Sequence, residues 1–239
     1  MTMTLYVYAV TKSSHPLRLD DLPSVGDGES PVRAVRGDSL CAVVSEAPED
    51  IKVNRPDVEA HHAVQERLWE DGATLPLGFG FVAEDEDAVR AVLEGGAEGF
   101  TKSLETLADR VEFNVKGVQE EEAVLRQVVE ESERIRQLNE VTRGGGGTYD
   151  ERLELGRLLH DEVQARQTAL AESVLAALRP HAHAEQLTEP SQQYFLNASF
   201  LVDREKGEEF TQAAQDMSDE LPEGVEVRVR GPLPPYSFV

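Results

Sequence analysis

The amino-acid sequence predicts an α+β fold in two domains, and three features carry that expectation. Short runs of β-branched and aromatic residues open the chain, a long stretch with helical spacing of apolar residues fills its middle, and a strand-helix-strand pattern closes it. A length of 239 residues with 40% hydrophobic content suffices for one large core or two modest ones. The change of pattern after Val118 favours two: an N-terminal antiparallel-sheet α+β domain over 1–118 and a C-terminal domain over 119–239.

Leu5–Val10 reads as a buried strand, because its valines and tyrosines suit a pleated surface. His15–Pro31 carries three prolines, two glycines and several acids, which supply turns and no packing face. Val32–Val35 and Leu40–Ser45 flank Gly37-Asp38-Ser39 as a hairpin able to pair with the first strand. Asn54, Pro56 and Asp57 are the start signals of a helix running to about Glu70, with His61 and His62 expected at its surface or near its cap. Thr74–Val82, apolar but punctuated by Pro76, Gly78 and Gly80, fits an edge or irregular strand. Two short helical patterns surround the Gly95-Gly96 break, and Val111–Val118 alternates as a strand.

In the second half, Gln119–Val141 has one continuous amphipathic pattern and an acidic start at Glu120, Glu121 and Glu122 that complements a helix dipole. The glycine tract 144–147 ends it and leads into a second long helix, Tyr149–Leu178, so the two form a helical hairpin. Most apolar stripes go to a core, so intramolecular packing is the expected use of this pair, with a seam for a partner helix as the sharper alternative. Gln193–Val202 is a strand, Glu205–Leu221 a helix, and Val225–Val229 a strict alternation. A proline-rich tail, Gly231–Val239, then enforces an extended backbone.

The charge balance, 23 basic against 46 acidic residues, gives −23, which repels a phosphate backbone or an anionic membrane and so excludes both as natural partners. Cys41 is the single cysteine, so neither an intramolecular disulfide nor a zinc cluster can be built, and a reducing, cytoplasmic setting is expected. The opening apolar run stops at Lys12 with no basic segment before it, too short for a signal peptide or membrane span.

No nucleophile elbow, phosphate loop, dinucleotide fingerprint or paired-histidine zinc helix occurs. His61 and His62 diverge by about 100° on a helix, and His181 and His183 have no third ligand at a useful spacing. The carboxylate runs Glu120–Glu122 and Asp20-Asp21 are local and do not converge on a cleft. No catalytic residue, cofactor or metal is therefore expected, and the chain is read as a binding protein.

Four segments together resemble the gas vesicle F/L family: Leu5-Tyr6-Val7-Tyr8-Ala9-Val10, Leu75-Pro76-Leu77-Gly78-Phe79-Gly80, Glu112-Phe113-Asn114-Val115-Lys116, and Gly231-Pro232-Leu233-Pro234-Pro235-Tyr236-Ser237-Phe238. Arg152–Arg157 and Leu201-Val202-Asp203 are also similar to family sequences. The resemblance spans essentially the whole chain, with departures at Gly78, Phe81 and Leu233. It implies an N-terminal α+β domain and a C-terminal ferredoxin-like α/β domain. It also implies a role in gas vesicle formation, localised to the gas vesicle, with the small hydrophobic shell protein and other accessory proteins as partners and the gas-facing side as one possible seat. The alternatives are a scaffold that contacts only accessory proteins, and an enzyme without a recognisable local motif. Interaction positions expected on this basis are Pro76, Phe79, Lys116, Gly231, Pro232, Pro234, Pro235 and Tyr236.

Overall fold

The computed structural model describes residues 4–26, 30–191 and 193–239; positions 1–3 of the opening run and 27–29 of the proline-rich loop lie outside the described residues. The chain divides into two compact units, Met1–Glu112 with Pro232–Val239, and Phe113–Gly231.

Unit 1 is built on an antiparallel sheet in the order β2 (Arg33–Arg36), β3 (Leu40–Glu46), β1 (Leu5–Lys12), β4 (Thr74–Pro76), with β5 (Val82–Ala83) pairing β1 beyond β4. Leu5 faces Glu46 and Lys12 faces Leu40, and the register shifts between Val7 and Ala9. Burial of nearly every residue of β1 and β3 means that both faces of the sheet are covered. Three helices, α1 (Arg55–Asp71), α2 (Glu86–Gly95) and α3 (Ala97–Leu107), pack against these strands. The start of α1 follows from its residues: the Asn54 side chain accepts the Asp57 N–H (2.9 Å) and Pro56 sits in the first turn, where its missing N–H costs nothing.

The sequence expectation for the loop after β1 fails. The loop after β1 does have a packing face, since Val25 is 2% exposed and Leu17, Leu19 and Leu22 lie against Tyr6, Tyr8, Val64 and Leu68. Its leucines are spaced irregularly and carry no period that marks burial. Asp57 holds the loop down by accepting the Gly26 N–H (2.8 Å) and the Asn54 amide (2.6 Å).

Unit 2 carries a four-stranded sheet in the order β7 (Ala184–Leu187), β8 (Leu196–Asp203), β6 (Arg110–Gln119), β9 (Val225–Leu233), of which the first residues of β6 and the last of β9 belong to unit 1. Helices α4 (Glu121–Glu131), α5 (Glu133–Thr142) and α6 (Tyr149–Leu178) separate its first two strands, and α7 (Gly207–Asp219) separates the last two. This β-α-β-β-α-β order, with the first strand between the third and fourth, is the ferredoxin-like arrangement.

Three details differ from the sequence reading. The helix expected over 119–141 breaks at Ser132, whose extended backbone ends α4 and whose hydroxyl caps α5. The strand β7 was not foreseen, because Ala-Glu-Gln-Leu has no β-type pattern. The last strand runs on to Leu233, through Pro232, and is longer than its alternating stretch.

The hairpin packs within the unit: Val124, Val128 and Ile135 are buried against half-buried Leu155, Leu158, Leu159 and Val163 of α6. Arg166 to Glu131 (2.6 Å) and Arg134 to Glu154 (2.8 Å) tie the two arms at the surface. Gly144, Gly145 and Gly147, all at positive φ, make the connection.

Gly117 lies so close to Phe195 that an added Cβ would stand 2.4 Å from the ring. Gly117→Ala is therefore expected to overpack the site by about 1–3 kcal/mol in chemical denaturation, and Phe195→Leu in the same chain should return part of the loss.

Candidate functional site

The segment between β4 and β5 has too little ladder to hold itself. β4 pairs β1 at Thr74 and Pro76, the chain then leaves the sheet, and it returns at Val82 opposite Tyr6. Side chains from β1 and α1 supply the missing bonds. Gln65 donates from its amide to the carbonyls of Tyr8 (2.9 Å) and Leu77 (2.8 Å). Leu77 O can only accept, so His61 Nε2, 3.2 Å away, carries the proton, and Nδ1 then accepts from the Tyr6 hydroxyl at 3.0 Å. The same hydroxyl accepts the Gly80 N–H (3.0 Å), and Val7 N–H reaches the Phe81 carbonyl (2.9 Å). Tyr8 is fixed in parallel by the Val25 N–H and by Ser45 Oγ, each at 2.9 Å.

Burial sets the protonation states of this network. His61 is 3% exposed, and desolvation, with His62 beside it and only partly offset by the Leu77 carbonyl, holds its pKa down at about 4. Desolvation likewise pushes Tyr6 up to about 12. The neutral tautomer is thus the one the hydrogen bonds require. The sequence reading of His61 as a surface or cap residue is corrected here, while its neighbour His62 is exposed.

On this base Phe79 stands edge-on to Tyr6 (6.0 Å) and His61 (5.6 Å). Phe81 and Val82 project outward, 50% and 44% exposed. Val82 also forms one wall of a cleft of about 450 Å³ with Thr4, Ala47, Pro48 and Ile51, rimmed by Glu46, Glu49 and Asp50. The result is a braced apolar shelf with an acidic margin, a surface suited to an apolar partner.

The expected interaction positions fall in different surroundings. Pro76 is buried in β4 and Phe79 is half-buried in the braced segment. Tyr236 places its hydroxyl 3.2 Å from His62 Nδ1, and the His62 ring is edge-on to His61 at 5.8 Å, so Phe79, His61, His62 and Tyr236 form one row of rings in unit 1. Pro234 and Pro235 are buried, whereas Gly231 and Pro232 are exposed on β9. Lys116 is in unit 2, its ammonium 4.8 Å from the centre of the Tyr194 ring. The sequence reading places Tyr6 only within its opening strand and His61 only in a helix pair unable to share a metal, and marks neither Gln65 nor the wall 47–51. The available signal was positional: Tyr6 and Tyr8 share a strand face, and His61, Gln65 and Leu68 share a helix face.

The tail has its own anchor. Glu112, 4% exposed, accepts from the Ser237 N–H (2.8 Å) and hydroxyl (2.7 Å). Glu112→Ala leaves both donors without that partner, and on the order of 1–3 kcal/mol should be lost. The expected readout is faster carboxypeptidase trimming of the last residues than in the parent chain.

Among the described residues no group of three or more His, Cys, Asp or Glu side chains could hold a metal ion, and no helix is long and apolar enough to cross a membrane. Cys41 is buried, with its sulfur 3.0 Å from Thr11 Oγ1.

Fold and site together define a two-unit α+β protein with a ferredoxin-like second unit and an aromatic-braced apolar segment in the first. The family model described as "Gas vesicle synthesis protein GvpL/GvpF" matches residues 4–239, and the chain belongs to that family. It is 40% identical over 238 residues to gas vesicle protein F of Streptomyces sp. (strain CB03234), covering 99% of this chain and 100% of the relative. Gas vesicle protein L of the same organism is 30% identical over 254 residues, covering 98% of this chain and 91% of the relative. The crystal structure of gas vesicle protein GvpF from Anabaena sp. PCC7120 has the same fold, with a TM-score of 0.86 at 22% identity over 99% of this chain and 98% of that one. The chain's role lies in gas vesicle formation, and these relatives are named as gas vesicle proteins, not as enzymes.

Proposed function

We propose that this chain acts in gas vesicle formation by holding the small hydrophobic shell protein, alongside other accessory proteins, on the apolar shelf of unit 1. The observation that carries this reading is the exposure of Phe81 and Val82 on a segment whose backbone is locked by Tyr6, His61 and Gln65. A fixed shelf loses little conformational freedom on binding, so its modest apolar area converts efficiently into affinity. The acidic rim and the charge of −23 keep a loaded complex dispersed by self-repulsion. In this account the protein reaches the vesicle from the cytoplasm with its cargo and is retained as a minor component, on the gas-facing side. The higher identity to the F protein than to the L protein of one organism supports an F-type role.

A cleft of about 480 Å³ in unit 2, lined by Val124, Leu125, Leu159 and Val163 with His160 and Gln164, favours a second contact, with an accessory protein. The scaffold reading needs this cleft alone.

Light scattering of the shell protein diluted from denaturant tests the proposal. Wild-type chain is expected to delay aggregation in proportion to its amount, and Val82→Asp, a change at an exposed position, to lose most of that effect with its circular dichroism unchanged. Equal protection by both, or by neither, would sink the shelf as the holding site.

A further inference from the structure

The last strand of unit 2 is an open edge with an unusual self-match. β9 lies at one end of the sheet and, among the described residues, no backbone hydrogen bond outside its own sheet pairing joins it to another element apart from the turn bond of Val225 N–H to the Pro222 carbonyl. Its residues 226 and 228–232 are exposed. The Gly224 carbonyl accepts from Glu120 N–H (2.7 Å) on the β6 side. By the alternation of a strand, Val225, Val227 and Val229 then aim their backbone groups outward, and Glu226 and Arg228 aim theirs at β6.

Edges are commonly guarded by charge, since a charged side chain on a strand disfavours chance pairing. Here the guards are of opposite sign and two residues apart on one face, where Arg228 Nε and Nη2 reach the two Glu226 oxygens at 2.9 and 2.7 Å. An antiparallel copy of the same strand, centred on Val227, sets Val225 against Val229, Val227 against Val227, and Glu226 against Arg228 on both sides of the axis. Every opposed pair is then apolar with apolar or acid with base. The outward backbone groups of Val227 and Val229 fall at the hydrogen-bonded positions of that ladder, giving about four bonds across the axis. No one-residue slip preserves this match, because a slip of one places glutamate against valine.

We propose that β9 pairs with β9 of a second copy of this chain in an isologous, two-fold contact centred on Val227, joining the two four-stranded sheets into one. Such a contact is small, so association is weak, and the charge of −23 on each copy adds repulsion that salt screens. It does not depend on shell-protein binding. Its consequence for that role is two shelves on one particle, which raises the effective concentration of the second contact on a repeating shell surface.

Sedimentation velocity of the full chain at about 0.15 M salt, from about 1 µM to about 1 mM, is the test. A concentration-dependent dimer is expected. Glu226→Arg alone and Arg228→Glu alone set like charges across the axis and should each weaken it roughly tenfold or more, while the double exchange E226R/R228E restores it. Val227→Pro removes an outward N–H that the β6 ladder does not use, and should abolish the dimer with the fold retained by circular dichroism. A monomer throughout the range, a dimer indifferent to the single exchanges, or a folded double exchange that fails to recover would each overturn the proposal.

Discussion

Replacing Phe210 by alanine is expected to cost about 3–5 kcal/mol of stability. Phe210 is fully buried, stacked on Phe113 at 4.8 Å and 27° and tilted against Phe200 at 5.4 Å. It joins α7 to the two central strands of the ferredoxin-like sheet, so its removal empties the contact between layers and leaves two rings without their partner. Phe210→Leu, which refills most of the volume, should recover a large part of the loss. Urea denaturation followed by circular dichroism reads the effect, and a midpoint unmoved by Phe210→Ala would contradict this assignment of the unit 2 core.

The second large effect is a loss of stability on mild acidification that traces to His61. Its pKa is 6.5 when unfolded and about 4 when folded, so between those values the unfolded chain binds more protons. Stability is therefore fully present above about pH 6.5 and declines as pH falls towards 4. At about 1.4 kcal/mol per unit, the gap between these values bounds the loss at about 3–4 kcal/mol, approached only near pH 4. The ion-paired carboxylates Asp71 and Glu86 titrate below their ordinary values, 3.8 and 4.5, and so contribute at lower pH. Thermal midpoints measured from pH 7 to pH 5 should fall for the parent chain, and His61→Gln should flatten that slope. In the folded chain Nδ1 gains its proton only as the pH approaches 4, where it turns from an acceptor into a donor facing the Tyr6 hydroxyl, so capture of an apolar partner on the shelf should hold down to about pH 5 and weaken near pH 4.

Much of the fold was legible in the chain because its signals are local. Asn54-Arg55-Pro56-Asp57 starts a helix where those residues allow, Tyr149–Leu178 keeps helical spacing throughout, and Gly144–Gly147 permits nothing but a turn. Failures came where a long-range contact decides. Ala184–Leu187 becomes a strand because β8 offers it a ladder, and the leucines of the 15–26 loop are buried because Tyr8 and Leu68 stand under them. Ser132 breaks a continuous amphipathic pattern with a cap whose chemistry is visible but whose use is optional. The candidate site was half legible. Pro76, Phe79 and Tyr236 were marked through family resemblance, whereas His61 and Gln65, which fix the segment, look in sequence like any polar residues of a helix.

Co-expression with the small hydrophobic shell protein, followed by pull-down and gel filtration, shows whether the braced shelf holds it. The parent chain is expected to bring the small hydrophobic shell protein into a dispersed complex, and Phe81→Ser with Val82→Asp to leave it aggregated while the chain itself stays folded. Retention of the complex by that double variant would contradict the claim, and so would a parent chain that captures accessory proteins but no shell protein.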